Sequence, residues 1–200
     1  MSPKPRFSWD LADELRAELS DRGRLLLLVV GGSHAYGTAT ADSDVDYRGT
    51  FANGSRNLLS LGQPFECLNR VDPLDVQLDS LKRVLGLALQ GKFSVAEMLF
   101  VSEDCMLYRD PLLDEVLDHR NHLLSRRWFK GVLGYFNAQL QALAAKGTGS
   151  NLGRMRSQYA CGPVGLPDSQ YDGKFALHAV RLGKVGLDLA KTHQVVVRRP

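Results

Sequence analysis

The residues best equipped for chemistry lie in one segment, GGSHAYGTATADSDVDYRGTF, from Gly31 to Phe51. A turn such as Gly31-Gly32-Ser33 lets backbone amides approach an anion while the Ser33 hydroxyl reaches a phosphate oxygen. A helix starting at Ser33 would aim its free N–H groups and positive dipole end at the same anion. Ten residues separate Ser33 from Asp44-Val45-Asp46. On a strand, residues two apart share a face at a spacing of about 6.6 Å, so both carboxylates would face one site. Carboxylates that close repel unless a cation lies between them, which makes the pair a ligand set for hard divalent metals. Two metals roughly 3.5–4 Å apart serve in-line phosphoryl chemistry, and a third carboxylate from another strand normally completes the set. Asp75, flanked by Leu74 and Val76 in an alternating segment, is the candidate, with Asp79 two positions further along that face in reserve.

The elements that must position these residues follow from periodicity. Ser8 precedes Trp9, Leu11, Leu15 and Leu19 at near-helical spacing, with Asp10, Asp13 and Glu14 in the early turns, which predicts a short amphipathic helix. After Arg24, residues 25–30 form a continuous apolar run into Gly31, the pattern of a strand over 24–30 buried on both faces. Segments 44–51 and 74–79 alternate as half-buried strands do, and 65–70 can add another. The period then lengthens: residues 81–89 and 95–99 read as helices, followed by long helices over 128–145 and 174–191. Phe129, Val132, Leu133, Phe136 and Leu140 are expected on the inner face of the first. Residues 147–171 form an irregular glycine-rich connection, and 194–197 is strand-like. The expected fold is α+β, a small mixed sheet with flanking helices over residues 1–108 and a helical region over 109–200.

Composition agrees with a folded chain. Of 200 residues, 44% are hydrophobic and 24% charged, which excludes a disordered or fibrous protein. The longest apolar run, Leu25 to Val30, is far short of the roughly 20 residues of a membrane span, and the N-terminus lacks a signal peptide's apolar centre, so the expected location is the cytoplasm with no membrane partner. Cys67, Cys105 and Cys161 are odd in number and widely spaced, as buried reduced thiols are. Trp9 and Trp128 read as core anchors, and His119, His122 and His193 lack metal-ligand partners at suitable spacing. Residues 1–108 carry 11 basic against 15 acidic side chains, a net of −4, while 109–200 carry 14 against 7, a net of +7. An acidic half beside a basic half suits an enzyme that holds divalent cations on one side and a polyanion on the other.

The Gly-Ser turn, the spacer, Asp44-x-Asp46 and a later strand aspartate together resemble the catalytic signature of the DNA polymerase β-type nucleotidyltransferase superfamily. The longer string from Ser43 to Gly49, SDVDYRG, is similar to a predicted bacterial and phage branch, some of whose members are associated with RNA repair. The stretch LKRVLGLALQGKFSVAEMLF resembles that branch's helix pair, with Glu97 at the family Glu and Lys92-Phe93 in place of Asn-Pro. YDGKFALHAVRLGKVGLDLA resembles its C-terminal helix, in which Lys174, His178 and Arg181 fall on one face. In the family similar sequence usually continues past residue 200, so either a shortened member or one that lacks a C-terminal segment is expected. The resemblance implies transfer of a nucleoside monophosphate from an NTP to a hydroxyl acceptor, RNA or tRNA foremost, with release of pyrophosphate. Asp44, Asp46 and Asp75 would be catalytic and hold two Mg2+ ions, for which Mn2+ can substitute. Gly32, Ser33, Ser43, Arg48, Lys174, His178 and Arg181 would bind the nucleotide. Arg126-Arg127 and Arg154-x-Arg156 are further candidate contacts to nucleic acid. A small molecule or a protein as acceptor, or a silent nucleic-acid-binding regulator on the same scaffold, are the rival readings.

Overall fold

The computed structural model describes residues 10–41, 43–144 and 173–199, with side chains over 10–41, 43–141 and 176–199. Helix α1 (Leu11–Leu19) leads into β1 (Gly23–Val30), the short helix α2 (Gly32–Tyr36), β2 (Asp46–Asn53), α3 (Ser55–Leu59), β3 (Cys67–Arg70) and β4 (Asp75–Ser80). Then come α4 (Leu81–Leu89), α5 (Phe93–Ala96), a 3-10 turn at Glu97–Phe100, β5 (Met106–Arg109), α6 (Asp114–Asp118), and the long helices α7 (Arg126–Ala144) and α8 (Gly173–Thr192). The sheet order is β3-β4-β2-β1-β5, and among the described residues only the β2–β4 pair is parallel. This is the mixed α+β architecture expected from the periodicities.

Strand β1 is interior, between β2 and β5, because its run of leucine and valine has no polar face to give to water. A register shift between Leu25 and Leu27 breaks the alternation. Leu25, Leu28 and Val30 pack on one side with α1 residues Leu11, Leu15 and Leu19. Leu26, Leu27 and Val29 pack on the other with Val84, Leu99, Leu113 and Leu117. The helical half has its own core, in which Ala88, Phe93 and Ala96 meet Trp128, Val132, Leu182, Val185 and Leu189. Trp128 is the anchor foreseen: fully buried, its indole N–H donates to the Ala88 carbonyl at 2.7 Å, and Phe93 and Phe100 pack edge-on against it. The Lys92-Phe93 departure leaves the turn intact, because Gly91 takes the left-handed conformation (φ 82°) that lets the chain reverse before α5.

Several expectations are corrected. The inner face of α7 is Trp128, Val132, Tyr135, Phe136 and Gln139, whereas Phe129, Leu133 and Leu140 are exposed, because packing on α4 and α5 is set by the tryptophan. Cys67 is exposed on the edge strand β3, while Cys105 is buried. Residues 194–197 form no strand, although Val195 and Val197 pack into the cores. Asp44 precedes β2 rather than lying in it. Trp9, Cys161, Arg154, Arg156 and the 147–171 connection lie outside the described residues.

Candidate active site

Antiparallel pairing of Val30 with Tyr47 brings the end of β1 to the start of β2. The Gly31 N–H donates to the Asp46 carbonyl at 2.7 Å, which pins the turn to the strand. Gly32 has φ 56°, and a Cβ there would stand 2.0 Å from Asp46 Oδ2. Glycine is therefore required twice over, for the backbone angle and for the carboxylate against it. Helix α2 follows for only five residues and ends on Gly37 in the left-handed region. So short a helix carries little dipole; what it presents are N–H groups of its first turn and the half-buried Ser33.

Because β2 and β4 run parallel, Asp46 and Asp75 are the first residues of their strands and register partners. Their side chains share Arg48, whose guanidinium lies 3.1 Å from Asp75 Oδ1 and 3.6 Å from Asp46 Oδ1. Burial pushes the Asp46 carboxyl above the usual range, and contact with Asp75 and the charge of Asp44 add to the push, while Arg48 opposes it. Asp44 is exposed, two residues before the strand. Among the described residues, no three His, Cys, Asp or Glu side chains are gathered closely enough to hold a metal ion. The donors fit a hard divalent cation in type: two oxygen-bearing acids whose repulsion such a cation relieves, with Asp44 beside them and not gathered in.

Asp79 stands apart from this pair. It is buried at the far end of β4, paired in register with Thr50; its Oδ1 lies 2.9 Å from Arg83 Nε, off the N–H axis, and its Oδ2 accepts from Gln77 at 3.0 Å. The reserve candidate is thus engaged in tying β4 to α4. Ser43 closes a local turn, its hydroxyl accepting from the Thr40 N–H at 2.8 Å, and its carbonyl lies 3.4 Å from His34 Nε2. It shapes the loop that presents Asp44.

The C-terminal stripe is only partly where the spacing puts it. Arg181 is buried, not an open cation: it forms an ion pair with Glu97 and its guanidinium lies over the Tyr36 ring, 3.6 Å from the centroid. Tyr36 in turn donates from its hydroxyl to Glu97 Oε2 at 3.0 Å. Burial raises the Glu97 carboxyl, against the pull of Arg181 and Tyr36, and raises the Tyr36 hydroxyl as well. His178 Nε2 lies 3.0 Å from the Tyr135 hydroxyl, and its ring faces Tyr36 at 6.3 Å. The Lys174 side chain lies outside the described ones. Sequence reasoning missed Tyr36 as a partner and gave Glu97 none. The available signal was spacing: Arg181 is four residues before Val185 and eight before Leu189, on the apolar stripe of α8.

This arrangement of a Gly-Ser turn against an aspartate pair can be compared with known proteins. A family model described as the RNA repair pathway DNA polymerase beta family, RlaP, matches residues 10–195. The chain belongs to this family. RlaP proteins are polymerase β-like nucleotidyltransferases tied by description to RNA repair, so the resemblance carried by the sequence motifs holds at this level. The chain is also 30% identical over 129 residues to an uncharacterised 38.9 kDa protein from the nrdC–mobD intergenic region of Enterobacteria phage T4. That match takes in 58% of this chain and 38% of the phage protein, so the chain spans less than half the length of this relative. No described helix is long and apolar enough to cross a membrane.

Proposed function

We propose that this RlaP-family chain transfers a nucleoside monophosphate from an NTP to a hydroxyl, with an RNA end as acceptor and pyrophosphate as leaving group. The observation that carries the reading is Asp46 beside Asp75 at the head of the parallel β2–β4 pair, with Gly32 fitted directly against Asp46. Asp44, Asp46 and Asp75 would hold Mg2+, or Mn2+, which when bound supplies Lewis-acid polarisation and makes the acceptor hydroxyl easier to ionise.

The chain's own residues do the rest. Amides at the Gly32–Ser33 turn and the Ser33 hydroxyl hold the departing phosphates. Arg48 offsets the charge of Asp46 and Asp75, and once another cation serves that pair its planar fork is free to take a phosphate oxygen, a contact worth about 1.5–3 kcal/mol. Ser43 holds the turn that presents Asp44. Lys174 and His178 keep the phosphate-side role that the family pattern gives them, while Arg181 acts through Glu97 and Tyr36 instead of touching the nucleotide.

The test is incubation with each of the four labelled NTPs and Mg2+, with and without bulk tRNA. Labelling of RNA 3′ ends is expected. Label on a protein or a small molecule would replace the acceptor, and no transfer to anything would favour a silent nucleic-acid-binding protein.

A further inference from the structure

Helix α2 has five residues, far below the roughly 12–15 that an isolated helix needs in water. Its placement is therefore set by what holds its two ends. At its start, Gly31 is tied to Asp46, and Gly32 leaves no room for a side chain beside that carboxylate. At its end, Tyr36 is held three ways. Its hydroxyl donates to Glu97 Oε2, its ring lies under the Arg181 guanidinium, and its carbonyl accepts the Arg199 N–H at 3.3 Å.

The Glu97–Arg181 pair that grips Tyr36 is 5% and 6% exposed. A buried ion pair gains little net stability over apolar packing of the same volume, and its best-attested use is to fix one arrangement among several. Here that arrangement has a direct readout. Tyr36 is one helical turn from Ser33, so a sub-ångström shift of α2 would drive Gly32 into Asp46 Oδ2 or draw it away.

We infer that Tyr36, Glu97 and Arg181 form a positioning clamp, which holds α2 so that Gly32 and Ser33 stand in register with the Asp46 carboxylate. The clamp joins the phosphate side of the site to its acidic side through the C-terminal helix. The inference rests on the proposed nucleotidyl transfer, with Gly32 and Ser33 on the phosphates.

Two variants of the full chain test it: Tyr36→Phe, which keeps the ring under Arg181 and removes the hydroxyl, and Glu97→Gln, which keeps the shape and removes the charge. Amide hydrogen exchange is followed residue by residue, beside kcat and KM for the NTP. The Ala35 and Gly37 amides should exchange about tenfold faster in both variants, and in Tyr36→Phe, which leaves the Glu97–Arg181 pair whole, the central amides of α7 and α8 should stay as protected as in the unsubstituted chain. kcat should fall about 10- to 100-fold with KM changed far less, because misplacement affects the reacting geometry more than ground-state binding. Unchanged exchange at α2 in both variants, or an increase spread evenly through α7 and α8 in Tyr36→Phe, would overturn the clamp. If the unsubstituted chain transfers nucleotide to no acceptor, the reaction itself falls, and the exchange profile alone then decides the clamp.

Discussion

Asp46 and Asp75 open their respective strands side by side and share one guanidinium, that of Arg48. The relationship is a consequence of topology. Parallel strands begin at the same end of the sheet, and β1, antiparallel to β2, delivers Gly31 and Gly32 to that end as well. Three separate segments thus converge on one corner.

Asp75 and Asp79 should separate cleanly on substitution. Asp75→Asn keeps the fold and NTP binding and loses transfer. Asp79→Asn leaves Arg83 without its buried carboxylate partner and costs about 1–3 kcal/mol of stability, while transfer by the folded fraction persists. Urea unfolding and a transfer assay on both variants check this; a dead but stable Asp79→Asn would move the third acid four residues along β4.

Much of this corner was legible in the sequence, and what was not has identifiable causes. The apolar run of β1, the alternation of β2 and β4 and the Gly-Ser turn are local patterns, and each marks an element the structure contains, to within two residues at its ends. The parallel register that pairs Asp46 with Asp75 is non-local, and no spacing within either strand reveals it. Asp44 was expected on the strand face, but β2 begins only at Asp46, where pairing with β1 and β4 starts. The resemblance puts Arg181 with Lys174 and His178 among the nucleotide contacts; its pairing with the buried Glu97 is a contact between distant segments that the stripe itself does not show.

Gly32→Ala should be damaging out of proportion to its size. The left-handed backbone costs alanine about 1–2 kcal/mol, and the added Cβ would also collide with Asp46 Oδ2. A lowered Tm together with lost transfer is expected; full activity would show that the close approach of α2 to Asp46 is not needed.

Arg181→Met should unfold the chain more readily, by about 3–5 kcal/mol at neutral pH, because Glu97 is left charged and buried without its partner. The Glu97 carboxyl is already raised by burial, and loss of Arg181 raises it further. The variant is then stabilised by a protonated Glu97 at acid pH and loses that stability as pH rises through the folded value. Denaturation across pH 4–8 should show the deficit widening upward; a stable Arg181→Met with only a weakened KM would restore Arg181 as a direct phosphate ligand.

The raised Asp46 carboxyl has a similar sign. Its ionisation opposes folding, so the contribution of Asp46 to stability is fully present below the unfolded value and declines as pH rises through the folded one. Asp46→Asn should flatten this part of the pH profile and leave the chain as stable as the parent, or more so, at neutral pH. A large loss of Tm at pH 7 would make Asp46 a structural residue.

The most direct measurement is Mg2+-dependent transfer of labelled nucleotide to RNA by the unsubstituted chain beside Asp46→Asn and Asp75→Asn, with folding of all three verified by circular dichroism. The expected result is labelled RNA from the first alone. Undiminished labelling by either folded variant would contradict the assignment of the paired aspartates as the catalytic acids.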